Sequence, residues 1–251
     1  MQWVHWTLHD DVALPQGAIL IEGLPGIGHV GQLVAQHIVD TLGGKLHAEL
    51  HSPDFPPQAL VEDDGTARLV GLRLWAVPAT DGAPLIVLTG DTQPMSPHGQ
   101  FEVTREVLDK VQANGTTTLY TLGGISAAAD ATLTVVGAAT DVAMVERLKE
   151  AGAHFDGLGP DGGIIGASGV FLGLARLRGM AGGCLMGESD GGLVDTDAAQ
   201  RVLAVLGKIL RRDISPDGLE EGARRIEVQL QMLDEVRYFA APTDAEHHYI
   251  G

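Results

Sequence analysis

Apolar residues follow two spacings along the chain: short unbroken runs and longer stretches with a period of three to four. The unbroken runs are Ala18–Glu22, Leu85–Thr89, Thr117–Leu122, Leu133–Ala138 and Cys184–Met186. Runs of this length read as strands buried on both faces. The periodic stretches are Val30–Leu42, Gln100–Gln112, Asp141–Ala151, Val170–Leu177, Asp197–Arg211 and Asp217–Tyr238. In the first, Val30, Leu33, Val34, His37, Ile38, Thr41 and Leu42 share one helical face; in the second, Phe101, Val103, Thr104, Val107, Leu108 and Val111 point inward. Trp3–Leu8 reads as an edge strand and Lys45–His51 as a short strand. Gln58–Val61 and Arg68–Ala76 read as a pair around Asp63-Asp64-Gly65, a hairpin turn signal. Strands alternating with helices predict an α/β fold whose mostly parallel sheet is covered on both faces. No internal repeat or low-complexity linker divides the chain, so the expectation is one α/β domain over residues 1–241 and a flexible tail over 242–251.

The last helix carries a clean apolar stripe, Leu219, Ala223, Ile226, Leu230, Leu233 and Val236, with charged residues elsewhere. The stripe suits packing on its own domain or a seam to another subunit.

The candidate chemistry begins at Gly23-Leu24-Pro25-Gly26-Ile27-Gly28-His29-Val30-Gly31, between the first buried strand and the first helix. Gly26, Gly28 and Gly31 match the G-x-G-x-x-G string of dinucleotide-binding proteins, and Glu49 falls near the place of its ribose-binding acid. Against that reading, Glu22-Gly23-Leu24-Pro25 separates the strand from the first glycine. Pro25 also removes a backbone donor, and a charged Glu22 would repel phosphate. A close-packed structural turn, with His29 at its exposed edge, is the favoured reading.

Other candidates are weaker. Gly166-Ala167-Ser168-Gly169 lacks the last glycine of a nucleophile elbow, and Ser168 suits a helix N-cap. Glu188, Asp190, Asp195 and Asp197 form an acidic cluster better suited to capping a helix than to holding a cation. The histidines show no metal-binding spacing on a helix, so no metal is expected. Cys184 reads as a core residue.

Charge and composition narrow the partners. The chain has 251 residues, 45% of them hydrophobic, and a formal charge of −17. Such a balance argues against nucleic acid, whose phosphates need clustered Lys and Arg, and against anionic membranes. No apolar run reaches the ~20 residues needed to span a bilayer. No signal peptide is evident, and a single cysteine excludes an intramolecular disulfide and suits a reducing cytoplasm.

Several motifs in register resemble those of the proteasome assembly chaperone 2 family, especially its archaeal members. They are Glu22 through Gly31, Ser52-Pro53-Asp54-Phe55-Pro56-Pro57, Gly90-Asp91-Thr92-Gln93, Leu122-Gly123-Gly124, Gly166-Ala167-Ser168-Gly169, Cys184-Leu185-Met186-Gly187-Glu188 and Val194-Asp195-Thr196-Asp197-Ala198-Ala199. The resemblance implies a three-layer α/β/α sandwich with a phosphorylase-like mixed sheet. It implies a non-enzymatic, ATP-independent homo-oligomer without a cofactor that binds proteasome core-particle α-subunits. Partners that dock on proteasomes often end in a hydrophobic residue, a tyrosine and one further residue. Here Tyr249-Ile250-Gly251 puts the tyrosine third from the end, and these three residues are the candidate docking segment. The alternative is a small-molecule or nucleotide-binding enzyme that uses the Gly26–Gly31 turn.

Overall fold

The computed structural model describes residues 3–9, 11–62, 64–79, 82–127, 132–155 and 162–240, and side chains as far as residue 231. Its strands are β1 (His5–Leu8), β2 (Ile19–Gly23), β3 (Lys45–His51), β4 (Ala59–Val61), β5 (Ala67–Leu69), β6 (Leu72–Val77), β7 (Leu85–Gly90), β8 (Thr118–Ser126), β9 (Val135–Ala139) and β10 (Ala181–Ser189). Its helices are α1 (Val30–Thr41), α2 (Pro97–Ala113), α3 (Val142–Ala151), α4 (Ala167–Leu177), α5 (Thr196–Leu210) and α6 (Leu219–Ala240).

Eight strands make one sheet in the order β1-β3-β6-β7-β2-β8-β10-β9, and β4 and β5 form a separate hairpin. The middle of the sheet, β7-β2-β8-β10, is parallel. Both flanks are antiparallel: β1, β3 and β6 on one side and β9 on the other. Four of the five unbroken apolar runs became the parallel centre, whose strands are covered on both faces and can be apolar at every position, while Leu133–Ala138 became the antiparallel edge strand β9. Alternate side chains of one strand feed opposite cores. Ile21, Leu85 and Val87 meet α1, α5 and α6, while Leu20, Ile86 and Leu88 meet α2 and α4. This is the expected three-layer sandwich.

Helix α1 is buried more completely than one amphipathic face requires. Gly31, Gln32, Ala35 and Val39 are buried along with Val30, Leu33, Val34, His37 and Ile38, because α5 and α6 cover the side turned away from the sheet. Thr41 is exposed, one turn beyond that cover. Helix ends are set by polar side chains. Ser96 accepts from the Gly99 amide at 2.9 Å, Asp141 from Met144 at 2.9 Å and Asp195 from Ala198 at 2.8 Å, each cap contributing about 1 kcal/mol.

The fold departs from the sequence pattern in several places. Arg68–Ala76 is two strands, not one: β5 stays in the hairpin, the chain breaks at Val70-Gly71, and β6 joins the main sheet between β3 and β7. A Cβ at Gly71 would lie 2.6 Å from the Leu50 carbonyl oxygen, so the close crossing there requires glycine. Phe101 does not face inward but is 53% exposed on α2. β8 continues through Gly123-Gly124 to Ser126, and β10 is a nine-residue strand paired on both sides.

Candidate functional site

The site is the end of the sheet where the parallel strands finish and the glycine turn begins. β2 ends at buried Gly23, and a single 3-10 turn over Ile27–His29 leads into α1. Gly28 takes a left-handed conformation, φ 59°, and its carbonyl accepts from the Asp195 amide at 2.8 Å. Backbone meets backbone on the far side. Gly31 rests on the Leu122 carbonyl of β8, and Gly124 of the same strand rests on the Ile27 carbonyl, so close that neither position has room for a Cβ. The turn is therefore interlocked with β8 along the line where a dinucleotide loop would open. Pro25 is half-buried and its carbonyl accepts from the Gln93 side chain at 2.5 Å; Gly26 is exposed.

His29 also has a left-handed backbone, φ 49°, uncommon for a residue other than glycine. It is not simply at an exposed edge. Its Nδ1 lies 2.7 Å from Gln32 Oε1, and Gln32 Nε2 donates to the Gly90 carbonyl at 3.3 Å. Glu49, the candidate ribose acid, is on β3 with β6 and β7 between it and β2, and it lies near Arg73 and His9 instead. In a dinucleotide fold the acid would end the strand next to the glycine turn; here that neighbour is β7 or β8.

Glu22 differs from its sequence reading. It is fully buried at the end of β2, in register with Thr121 of β8, which is itself in register with Cys184 of β10. All three project from one face of the sheet, toward α4. Desolvation raises the Glu22 carboxyl from 4.5 to about 8, against hydrogen bonds from Ser168 and the Leu24 backbone. Glu22 is thus uncharged at neutral pH and exerts no charge repulsion on the turn. Its Oε2 accepts from Ser168 Oγ at 3.0 Å, and its Oε1 has no hydrogen-bond partner among the described residues. Ser168 is not the N-cap of α4; Gly166 holds that position, and Ser168 turns inward to the acid. Burial also pushes the Cys184 thiol up to about 12, which suits a core residue and not a nucleophile.

A second buried acid follows β7. Asp91 accepts from Arg68 Nη1 at 2.6 Å, Arg73 Nη2 at 2.9 Å, the Gly71 amide at 3.1 Å and Gln229 Nε2 at 3.2 Å. Burial alone would raise its pKa, but the two guanidinium groups and the Gly71 amide hold it below the usual carboxylate range. Two residues on, Gln93 joins three segments: it donates to Pro25, accepts from the Ala167 amide at 2.9 Å, and receives the Gln100 side chain at 3.3 Å. The sequence placed Asp91 and Gln93 within one motif, but their partners lie up to 138 residues away.

Among the remaining candidates, Glu188 is occupied by the Thr134 amide and hydroxyl, both at 2.8 Å, and Asp195 caps α5. Among the described residues no group of three or more His, Cys, Asp and Glu is placed to hold a metal ion, and no helix is long and apolar enough to cross a membrane. Tyr249, Ile250 and Gly251 lie outside the described residues.

Comparison with known proteins extends this picture over almost the full chain. An uncharacterized protein of Methanocaldococcus jannaschii is 37% identical, over 96% of this chain and 95% of its own. The crystal structure of Pyrococcus furiosus PbaB, described as an archaeal proteasome activator, has a TM-score of 0.81 at 35% identity and covers 93% of this chain and 100% of its own. Pyrococcus furiosus PbaA, an archaeal homolog of proteasome-assembly chaperone, has a TM-score of 0.74 at 27% identity, over 94% of this chain and 99% of its own. The PAC2 family model matches residues 20–234, from the buried strand β2 into α6, and the chain belongs to that family.

Proposed function

We propose that this protein is a proteasome-associated chaperone that binds core-particle α-subunits, acts without ATP or catalysis, and works as a homo-oligomer in the cytoplasm. The observation that carries the reading is the full-length likeness to PbaB, a proteasome activator, at 35% identity. The interlocked glycine turn supports it, since backbone groups occupy the line along which a nucleotide loop would open. The tail Tyr249-Ile250-Gly251 is the docking segment in this reading. It follows α6, the last described element, by eight residues, and a short peptide that orders on binding is a common recognition mode.

The test is association with purified α-subunits and assembled core particle. The expected result is a stable complex with the core, weakened when residues 247–251 are deleted. Failure to associate with either would overturn the proposal; association that the deletion leaves unchanged would remove the tail from it.

A further inference from the structure

We infer that β1 is an edge built for a second copy of this chain, which pairs its own β1 antiparallel to it about a two-fold axis at Thr7 and joins the two sheets into one. The inference deepens the reading of the chain as a homo-oligomer by naming the surface, and it rests on that part of the reading.

The backbone sets the geometry. β1 closes one side of the sheet and pairs with β3 alone. In the same register the His9 N–H donates to the His47 carbonyl at 2.8 Å. Hydrogen-bonded and non-hydrogen-bonded pairs alternate along an antiparallel ladder, so His5, Thr7 and His9 turn their backbone groups to β3, while Trp6 and Leu8 turn theirs outward. Among the described residues no strand pairs with that outer edge. The opposite edge of the sheet is covered. There the Gly137 N–H donates to the His154 carbonyl at 2.6 Å, and the His154 N–H donates to the Val135 carbonyl at 2.8 Å, so the segment after α3 lies along β9. Open edges in proteins are ordinarily guarded by Lys, Pro or a misplaced charge. Trp3 through His9 contains no Lys, Pro, Asp or Glu. In a chain of charge −17, whose copies repel one another over most of their surface, β1 is a stretch that brings no carboxylate to the meeting.

The side chains select the occupant. Trp6 and Leu8 lie opposite Leu50 and Ala48, which are buried in the core beneath α2, so all four share one face of the sheet. Trp6 is covered on that face, with the Lys110 ammonium 4.8 Å from its ring centre. Leu8 belongs to the same face but is 51% exposed. Around Thr7 the strand reads polar, apolar, polar, apolar, polar in either direction: His5-Trp6-Thr7-Leu8-His9. A two-fold interface requires this self-complementarity. In the pair, Trp6 exchanges both backbone bonds with Leu8 of the second copy, and Leu8 does the same with Trp6. Each exposed Leu8 thereby gains a tryptophan beside it on the covered face. Thr7 meets Thr7 of the second copy, a favourable cross-strand pair, and His5 meets His9.

The experiment measures the mass of the full chain in solution over a range of concentrations, for the wild type, Leu8→Lys and Leu8→Pro. Lysine supplies the missing guard at a half-exposed position, which costs the single copy little. Proline deletes the outward N–H and leaves the bonds to β3 in place. A third variant, Thr7→Cys, is treated with diamide as the oxidant. Across a two-fold at Thr7 the two Cα atoms stand about 4.5 Å apart, within reach of a disulfide, and the natural Cys184 is buried. The expected result is an assembled wild type, a halved mass in both Leu8 variants with association weakened at least about tenfold, and a covalent dimer of Thr7→Cys. A wild-type mass that Leu8→Lys preserves overturns the β1 interface and leaves the homo-oligomer reading standing, and so does a Thr7→Cys that fails to cross-link. A monomeric wild type overturns both. Association with the core particle is a separate measurement, so the proteasome reading stands or falls by its own test.

Discussion

Replacing Glu22 with glutamine should change how stability depends on pH more than it changes stability itself. The folded carboxyl is raised from 4.5 to about 8 by burial, with Ser168 as its side-chain donor. An unfolded chain releases this proton near 4.5, so between those values the unfolded state binds fewer protons than the folded one. The contribution is fully present below 4.5 and declines as pH rises through the folded value, by about 1.4 kcal/mol per pH unit. At pH 7 the cost to the folded chain reaches roughly 3 kcal/mol.

Glutamine removes this linkage but introduces an amide that must find acceptors. The Leu122 carbonyl, 3.4 Å from Ser168 Oγ, lies beside the site, and one buried N–H left unpaired costs about 1–3 kcal/mol. The two stabilities should therefore cross near about pH 6, with the variant ahead by about 1 kcal/mol at pH 7 and behind at pH 5. Urea unfolding of both proteins at pH 5, 6, 7 and 8 measures the difference directly. The other titrating carboxylates of a chain with 33 Asp and Glu act in both proteins and cancel in the subtraction. A difference that stays constant from pH 5 to pH 8 would refute the argument, because it would mean that Glu22 has the same pKa folded and unfolded.

Gly31→Ala should cost at least about 4 kcal/mol or abolish folding, since its Cβ would overlap the Leu122 carbonyl within an interlocked turn; soluble yield and urea midpoint report it. Gly173→Ala is the contrasting case: the position is exposed in α4 with nothing within 4 Å, and the change should stabilise by about 0.5–1 kcal/mol in the same assay. Thermal unfolding with NAD, NADP or ATP should show no shift, whereas a ligand at about 100 times its Kd would add about 2.7 kcal/mol. Asp91 gives the opposite pH behaviour to Glu22. Its folded pKa is depressed, so its contribution is present above the unfolded value and is lost as pH falls through the folded one. Asp91→Asn should reduce the loss of stability on acidification, read as a smaller shift in urea midpoint below about pH 4.

The parallel centre of the sheet and all six helices are legible from local spacing, because each strand or helix face repeats within a few residues. Boundaries and pairings are less so. The split of Arg68–Ala76 between hairpin and sheet depends on the crossing of Gly71 over Leu50, a contact between segments that local periodicity does not report. Phe101 holds an inward position by spacing, but the buried face of α2 runs through Gly99, Val103, Thr104, Val107, Leu108 and Val111, and Phe101 lies off it. Glu22 closes a buried apolar run and reads as a charge that would repel phosphate. Its neutral state follows only from the register that sets it beside Thr121 and Cys184, which places the acid where three strands and a helix exclude water. At Gly31 the spacing of the glycines does not report the neighbour, since the close approach is to the Leu122 carbonyl of β8, 91 residues on.

The end of a parallel sheet is where α/β proteins usually open a crevice for ligands. This chain closes its crevice with main chain: Gly31 on Leu122, Gly124 on Ile27, and Gly28 hydrogen-bonded to Asp195. Two uncommon acids flank that closure and do different work. Glu22 stays neutral and buried, so it fastens α4 to the sheet without requiring a cation. Asp91 stays charged, so it draws two arginines and a glutamine from three other segments. A side chain that gathers distant elements by charge can orient what lies beyond them, whereas a neutral acid in a sealed interior can only hold its neighbours.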